Sequence, residues 1–389
     1  MNLISVSACE EKTLASAFTT SASLPLTAAL GKVLAKDVLA AQVSPPFHRV
    51  AMDGIAIAFD AYAHGQRDFS CLGLALAGKP ALRLTDPHAC IEVATGAVLP
   101  EGCDTVIPYE NLERKSAHFM LNAPVSRWQN VHKKGSDHAA GTILLSAGSR
   151  LFAPQIAALA ALGENHAQVY GLASAHIMAT GEELYLPGES VPEYGIYCSS
   201  APAIAAMLKP FLQTSWGKVG DTPEIMASAM HQALSEHDCL VITGAVSKGA
   251  PDVVPEILKQ LGANIVFHGV AQKPGKPFLF ATLAEKFIFA LPGNPVASLI
   301  VVRRYLVPFL LATMKLQDQV PNVVWQQHTT IHNDFTHFIP VIFEDSLAIP
   351  VPMTGSGDWG ALAKSAGFIE IHKNSGPKVP FYPWRMEWN

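Results

Sequence analysis

The segment Val270-Ala271-Gln272-Lys273-Pro274-Gly275-Lys276-Pro277-Phe278 places two lysines three residues apart. Prolines restrict the backbone on either side and the glycine permits a tight turn, so both ammonium groups sit on a stiff loop. Two readings fit: a surface hairpin with solvated lysines, or a site for a phosphate or another oxyanion. A second stretch, Gly244-Ala245-Val246-Ser247-Lys248-Gly249, leads to Asp252. Glycine-bearing loops at helix starts present backbone N–H groups to anions. Asp252 is either a plain N-cap or a carboxylate that would hold Mg²⁺ beside a phosphate. Pro292-Gly293-Asn294-Pro295 is either a stiff corner or a pocket wall whose peptide groups are fixed before a ligand arrives. Ala51-Met52-Asp53-Gly54 and Ala94-Thr95-Gly96-Ala97 read first as turns, and Asp137 and Asp221 as turn or cap residues.

The elements that hold these residues follow a pattern. Apolar runs at 175–178, 239–242 and 287–291 each end in a glycine turn that opens a helix-like segment: Thr180-Gly181-Glu182-Glu183, then Gly244, then Pro292-Gly293-Asn294-Pro295. Strand, turn, helix is the unit of a parallel α/β sheet, in which ligands bind beyond the carboxyl ends of the strands. The three turns should therefore converge on one pocket. Helices are expected at 200–212 (interrupted by Pro210), 222–236, 252–261 and 296–311, with Ile225, Met226, Met230, Ala233 and Leu234 as the buried stripe of the second. Residues 24–39 also look helical, a strand pair is expected around Ala147-Gly148, and a short helix at 154–162. Short apolar runs between 45 and 140 predict a β-rich module, and alternation beyond 321 predicts a second.

Composition removes several classes. Net charge is −5 with no basic block, which argues against nucleic acid as a partner. The longest apolar stretch, 299–314, is broken by Arg303 and Arg304 and carries Pro308, so no membrane span is expected. Met1-Asn2-Leu3-Ile4 has no basic segment before its apolar residues, and a cytoplasmic location is the default expectation. The six cysteines are scattered without a Cys-x-x-Cys pair and no His-Glu-x-x-His occurs, which disfavours structural zinc, redox catalysis and a zinc hydrolase. The Gly-x-x-x-x-Gly-Lys-Ser/Thr pattern of a P-loop is missing as well.

Taken in order, Ala51-Met52-Asp53-Gly54, Thr95-Gly96-Ala97-Val98-Leu99-Pro100-Glu101-Gly102, Gly135-Ser136-Asp137, Thr180-Gly181-Glu182-Glu183-Leu184, Gly244-Ala245-Val246-Ser247, Lys273-Pro274-Gly275-Lys276-Pro277 and Leu291-Pro292-Gly293-Asn294-Pro295 resemble the molybdopterin molybdenumtransferase family, which includes the E-domain of gephyrin. The match runs from about Leu24 to Leu311 and continues weakly through Gly355-Ser356-Gly357. The resemblance implies a multidomain α/β and β protein. A discontinuous linker domain (1–44 with 141–168) and a β-rich lid domain (45–140) would precede a central parallel α/β (MogA-like) domain (169–319) and a C-terminal β-module (320–389). It implies a reaction that converts adenylated molybdopterin and molybdate into molybdenum cofactor and AMP with Mg²⁺. It also implies a homodimer with a pocket shared between subunits, and a molybdopterin adenylyltransferase as a partner.

The implied catalytic residues are Asp53, Thr95, Asp137, Glu183, Lys273 and Lys276. Gly244, Ser247, Asp252, Gly275, Pro292, Asn294, Pro295 and Ser356 would bind ligand, and Asp221 and Asp252 would hold the metal. Asp53, Thr95 and Asp137 would come from one subunit and the others from its partner or nearby. The chain departs from the family pattern at Arg49-Val50 (commonly Asn-Ser), Ile55 (an aromatic), Glu182 (Asp), Ala245 (Gly) and Ala297 (often Ser), and no arginine lies between Phe335 and Pro340. Two alternatives follow: a divergent paralogue that binds pterin or nucleotide without inserting metal, and a dimeric scaffold.

Overall fold

The structure, a computed structural model, describes residues 3–246, 253–326, 331, 334–355 and 357–385. Its contacts divide the chain into two units: Met1–Lys36 with Gly148–Ile156 and Asn165–Asn389, and Asp37–Ala147 with Ala157–Glu164.

The larger unit is built on a six-stranded sheet. Its strands are β1 Ser174–Thr180, β2 Gln213–Val219, β3 Cys239–Thr243, β4 Asn264–His268, β5 Leu279–Leu283 and β6 Lys286–Leu291, in the order β2-β1-β3-β6-β5-β4. The first four of that order are parallel, and β5 and β4 form an antiparallel edge. The reason is local. Only Ala284 and Glu285 separate β5 from β6, too few for a crossover, and Ala284 has the positive φ of 49° that a tight hairpin uses. Burial alternates along the central strands. Ile177, Val241, Phe287, Phe289 and Leu291 belong to one core, and Met178, Leu240, Ile242, Ile288 and Ala290 to the other. Such double burial is why these strands read as continuous apolar runs.

Helices α1 Ser200–Leu208, α2 Pro223–Glu236, α3 Val253–Gln260 and α4 Pro295–Thr313 flank the sheet. α1 stops short of Pro210, which cannot continue it. In α2 the residues Met226, Met230, Ala233 and Leu234 are buried as expected, whereas Ile225 is 54% exposed. One residue turns the helix by about 100°, which carries Ile225 off the stripe. α4 contains a π-turn, Val302–Leu306, and is long and apolar enough to cross a membrane by composition, yet 83% of its apolar window lies buried inside the fold.

Residues 24–39 are not an α-helix. Ser21–Pro25 pairs antiparallel with His166–Tyr170, and a 3₁₀ turn, Leu26–Ala28, follows. Adjacent Val33 and Leu34 are both buried while Leu30 is exposed, so the apolar residues do not share one helical face. The short helix expected near 154–162 is Ala153–Ala161. A C-terminal sheet of Asn322–Val324, Thr336–Glu344, Leu347–Pro350, Gly367–Ile371 and Lys378–Pro383 completes the unit, and Gln272–Lys273 joins its edge in parallel with Thr336 and His337.

The smaller unit carries a sheet ordered Thr105–Pro108, Gly54–Ile57, Cys90–Val93, Asp68–Ala75, His118–Leu121, Leu112–Lys115. The strand pair expected around Ala147-Gly148 does not form as a hairpin; Ile143–Leu145 pairs instead with Val38–Leu39. The Ala147 amide is taken by the Asp37 carboxylate at 2.7 Å, and beyond it Gly148 N donates to Leu34 O and Arg150 bridges Val33, so the chain continues along residues 32–39 instead of folding back on itself.

Candidate functional site

The three glycine turns do meet. Thr180 Oγ1 donates to the Thr243 carbonyl (3.2 Å), the Gly244 amide donates to Leu291 O (3.2 Å), and a Cβ on Gly293 would lie 3.4 Å from Gly244 Cα. Gly244 has φ +96°, and a Cβ there would come within 2.5 Å of Thr180 Oγ1, so the crossing demands glycine. Beyond the strand ends lies a pocket of about 390 Å³ lined by Thr180, Gly181, Glu183, Ser199, Ser200, Asp221, Thr243, Gly244, Val253, Gly293 and Pro295, among others. The first described residues of α1, α3 and α4, namely Ser200, Val253 and Pro295, are in that lining, which brings the N-terminal ends of these helices to the pocket, where partial positive charge favours anions. Glu183 folds back over Gly181, where a Cβ would sit 2.8 Å from its carboxylate oxygens. Asp221 and Glu182 accept from each other's backbone amides, at 3.0 and 3.3 Å, which ties the turn after β1 to the turn after β2.

Asn294 caps α4 through Ala297 N (3.4 Å), and Ser298 Oγ donates to the Pro292 and Asn294 carbonyls. A Cβ on Gly357 would lie 3.9 Å from Asn294 Nδ2, so Gly357 borders this corner. Ser247, Asp252 and Ser356 lie outside the described residues.

The lysine loop lines a different patch of the same unit. Gly269 N donates to Phe278 O (2.8 Å) and Val270 N to Lys276 O (3.0 Å), closing the loop at its base. Gly275 has φ +97° and faces Val301 of α4; a Cβ there would be 2.8 Å from the Val301 side chain. Lys273 and Lys276 do not line the 390 Å³ pocket. Their loop meets α4 through Gly275 at Val301, six residues after Pro295, which does line it, a separation of about 9 Å along the helix axis. Lys273 pairs in register with His337, and Lys276 Nζ lies 5.9 Å from the Phe335 ring centroid. Burial, then the Lys273 charge, pushes the His337 imidazole below its ordinary value. Phe335 and His337 were not singled out from sequence, because nothing local ties residue 337 to residue 273.

In the smaller unit Asp53 accepts the Thr95 amide at 2.7 Å, and this bond holds its carboxyl below the usual range. Asp137 accepts from His132 Nε2 at 2.6 Å and is likewise held low, chiefly by that bond. His132 Nδ1 faces Arg49 Nη2 at 3.0 Å. Arginine can only donate, so Nδ1 accepts and the Nε2–H points to Asp137. Arg49 and His132 are thus site neighbours that spacing does not reveal. Gly54 explains its own motif: a Cβ would lie 1.9 Å from the Ile107 carbonyl oxygen across the strand pair. Gly54→Ala is expected to lower stability by about 1–3 kcal/mol, read from denaturant unfolding. An unchanged unfolding midpoint would show that the pair separates freely.

A largely parallel sheet with a pocket beyond its carboxyl ends, lined by strand-end turns and by the first described residues of three helices, is the layout in which α/β proteins bind their ligands. Residues 4–163 match the family model described as the MoeA N-terminal region (domain I and II), and residues 176–312 that of a probable molybdopterin binding domain. The molybdopterin molybdenumtransferase of Synechocystis sp. is 34% identical over 373 residues, covering 91% of this chain and 93% of that protein. The protein of the same name from Staphylococcus epidermidis is 31% identical, over 82% of this chain and 77% of its own length. A molybdopterin biosynthesis moeA protein from Pyrococcus horikosii has a similar solved structure, with a TM-score of 0.70 at 25% identity over 99% of this chain and 100% of that one. The chain belongs to the molybdopterin molybdenumtransferase family.

Proposed function

We infer that this protein inserts molybdate into adenylated molybdopterin, yielding molybdenum cofactor and AMP. The observation that carries the reading is the strand-end pocket, whose lining combines the N-terminal residues Ser200, Val253 and Pro295 of three helices with two acidic residues, Glu183 and Asp221. The helix ends suit the phosphoanhydride of the substrate. The carboxylates suit a hard cation: Mg²⁺ is commonly held by one or two carboxylates and completed by substrate phosphates. Asp221, with Glu183, would hold it, and Asp252 is a further proposed ligand outside the described residues. When bound, Mg²⁺ would neutralise charge across the pyrophosphate. Lys273 and Lys276 would hold molybdate and offset charge that develops on oxygen. No protein nucleophile is required: a molybdate oxygen can attack the adenylate phosphorus as the phosphoanhydride P–O bond breaks with the pterin phosphate as leaving group, and AMP departs with that oxygen when molybdenum passes to the pterin.

The same reading proposes a homodimer in which Asp53, Thr95 and Asp137 of one subunit complete the site of the other, and the four-domain division at 1–44 with 141–168, 45–140, 169–319 and 320–389. It also proposes a molybdopterin adenylyltransferase as the source of substrate. Six free cysteines, five of them buried, favour a reducing cytoplasm. Incubation with adenylated molybdopterin, Mg²⁺ and molybdate tests the function. Molybdate-dependent AMP release, abolished by EDTA and restored by Mg²⁺, is the expected result. Binding without turnover would point to the paralogue, and neither to the scaffold.

A further inference from the structure

Gln272 is fully buried at the start of the lysine loop, and its amide is fully engaged. Nε2 donates to the Pro274 and Gly275 carbonyls, each at 3.3 Å, and Oε1 accepts from the Tyr305 hydroxyl at 2.5 Å. Only this orientation satisfies all three contacts: reversed, the amide oxygen would face two carbonyl oxygens. Tyr305 lies in the π-turn of α4, is 2% exposed, and stacks on Phe278 at 5.3 Å between centroids. One side chain therefore grips both ends of the loop, its hydroxyl at Gln272 and its ring at Phe278. The π-turn is itself anchored, since Arg304 pairs with Glu370 (2.8 Å) and Glu10 (2.9 Å). Burial raises the Tyr305 hydroxyl well above its ordinary value, which keeps it a donor.

We propose that Tyr305 and Gln272 are positioning residues: through the hydroxyl–amide–carbonyl chain they set the conformation of the loop between Lys273 and Lys276 and hence the affinity of that pair for a tetrahedral oxyanion. Neither residue touches the anion. The inference rests on the proposed function for the identity of the anion, molybdate, while the brace itself stands on geometry.

Two readouts separate the two. Hydrogen exchange over 269–278 tests the brace without ligand. Tyr305→Phe, a near-isosteric change, is expected to speed exchange there roughly tenfold, the scale of one lost buried hydrogen bond. Titration with molybdate alone is then expected to show a roughly tenfold weaker Kd. AMP release should show a raised KM for molybdate, with kcat and the KM for adenylated pterin within about twofold of wild type, a split that general loosening of the fold does not produce. Gln272→Leu should reproduce the pattern, and it decides the matter if Tyr305→Phe fails to fold. Unchanged exchange in the folded variants overturns the brace. Faster exchange with unchanged molybdate affinity overturns its role in binding. Wild-type protein that binds no molybdate, with exchange still accelerated in the variants, removes the functional reading and the binding role with it and leaves the brace as a structural contact.

Discussion

Lys276→Ala lowers molybdate-dependent AMP release by about a hundredfold to a thousandfold, the scale of one lost preorganised donor to an oxyanion. The loop that carries Lys276 is closed by main-chain bonds and by the Gln272 amide, so the backbone from which the ammonium extends is held in place. Its neighbour at 5.9 Å is the face of Phe335, which attracts a cation and offers no anion to neutralise it. Its removal leaves Lys273 beside His337, whose imidazole is kept toward its neutral form by burial and by Lys273 itself. The second positive charge is therefore not replaced. Steady-state AMP release at saturating adenylated pterin measures the effect, and an undiminished rate would remove the lysine pair from the mechanism. The dimer proposal adds a sharper outcome. Equal mixing of Lys276→Ala subunits with Asp53→Asn subunits should recover about a quarter of wild-type activity through mixed dimers, each with one intact shared site. No recovery after exchange of subunits would place both residues in one subunit's site.

Asp318→Ala costs about 3–5 kcal/mol of stability, because it strands a buried guanidinium. The Arg303 side chain is 1% exposed and lies in the middle of α4, with Nη1 to Asp318 Oδ2 at 2.6 Å and Nη2 to Oδ1 at 3.2 Å. Its Nε donates to Pro383 O at 2.9 Å, which joins α4 to the last strand of the C-terminal sheet. Arginine does not lose its proton, so the charge left behind has no neutral form to adopt. Arg303→Met with Asp318→Leu, which removes both charges, should cost less than the single change. Urea unfolding followed by tryptophan fluorescence reads both variants. A loss under about 1 kcal/mol for Asp318→Ala would mean that another acceptor or water satisfies Arg303.

The α/β core was legible because its signals are short-range. Residues 239–243 are buried throughout, and a fully apolar run that ends in Thr-Gly has few other solutions. Residues 24–39 misled for the complementary reason. Their apolar spacing suits a helix, but Leu24 and Pro25 pair with Ala167 and His166, Leu34 bridges Val169 and Val38–Leu39 pairs with Ile143–Leu145, and nothing within sixteen residues announces partners that far away. The strand pair around Ala147-Gly148 failed likewise: the turn is there, but the strand before it is claimed by Val38–Leu39. Of the site, the residues with unusual backbone needs were readable, Gly244 and Gly275 above all. The polar neighbours His132, His337, Gln272 and Tyr305 were not.

Glycine and proline chemistry and short continuous apolar runs were enough to announce strand-end turns and a stiff lysine loop, because backbone restraint and burial pattern are written within a handful of neighbouring residues. Which groups face one another was settled by folding. Lys273 met His337, and Tyr305 met Gln272 thirty-three positions away, only when a sheet edge and a π-turn closed on the same loop. Partnerships of that kind follow from long-range register and side-chain direction, and neither is encoded by spacing along the chain.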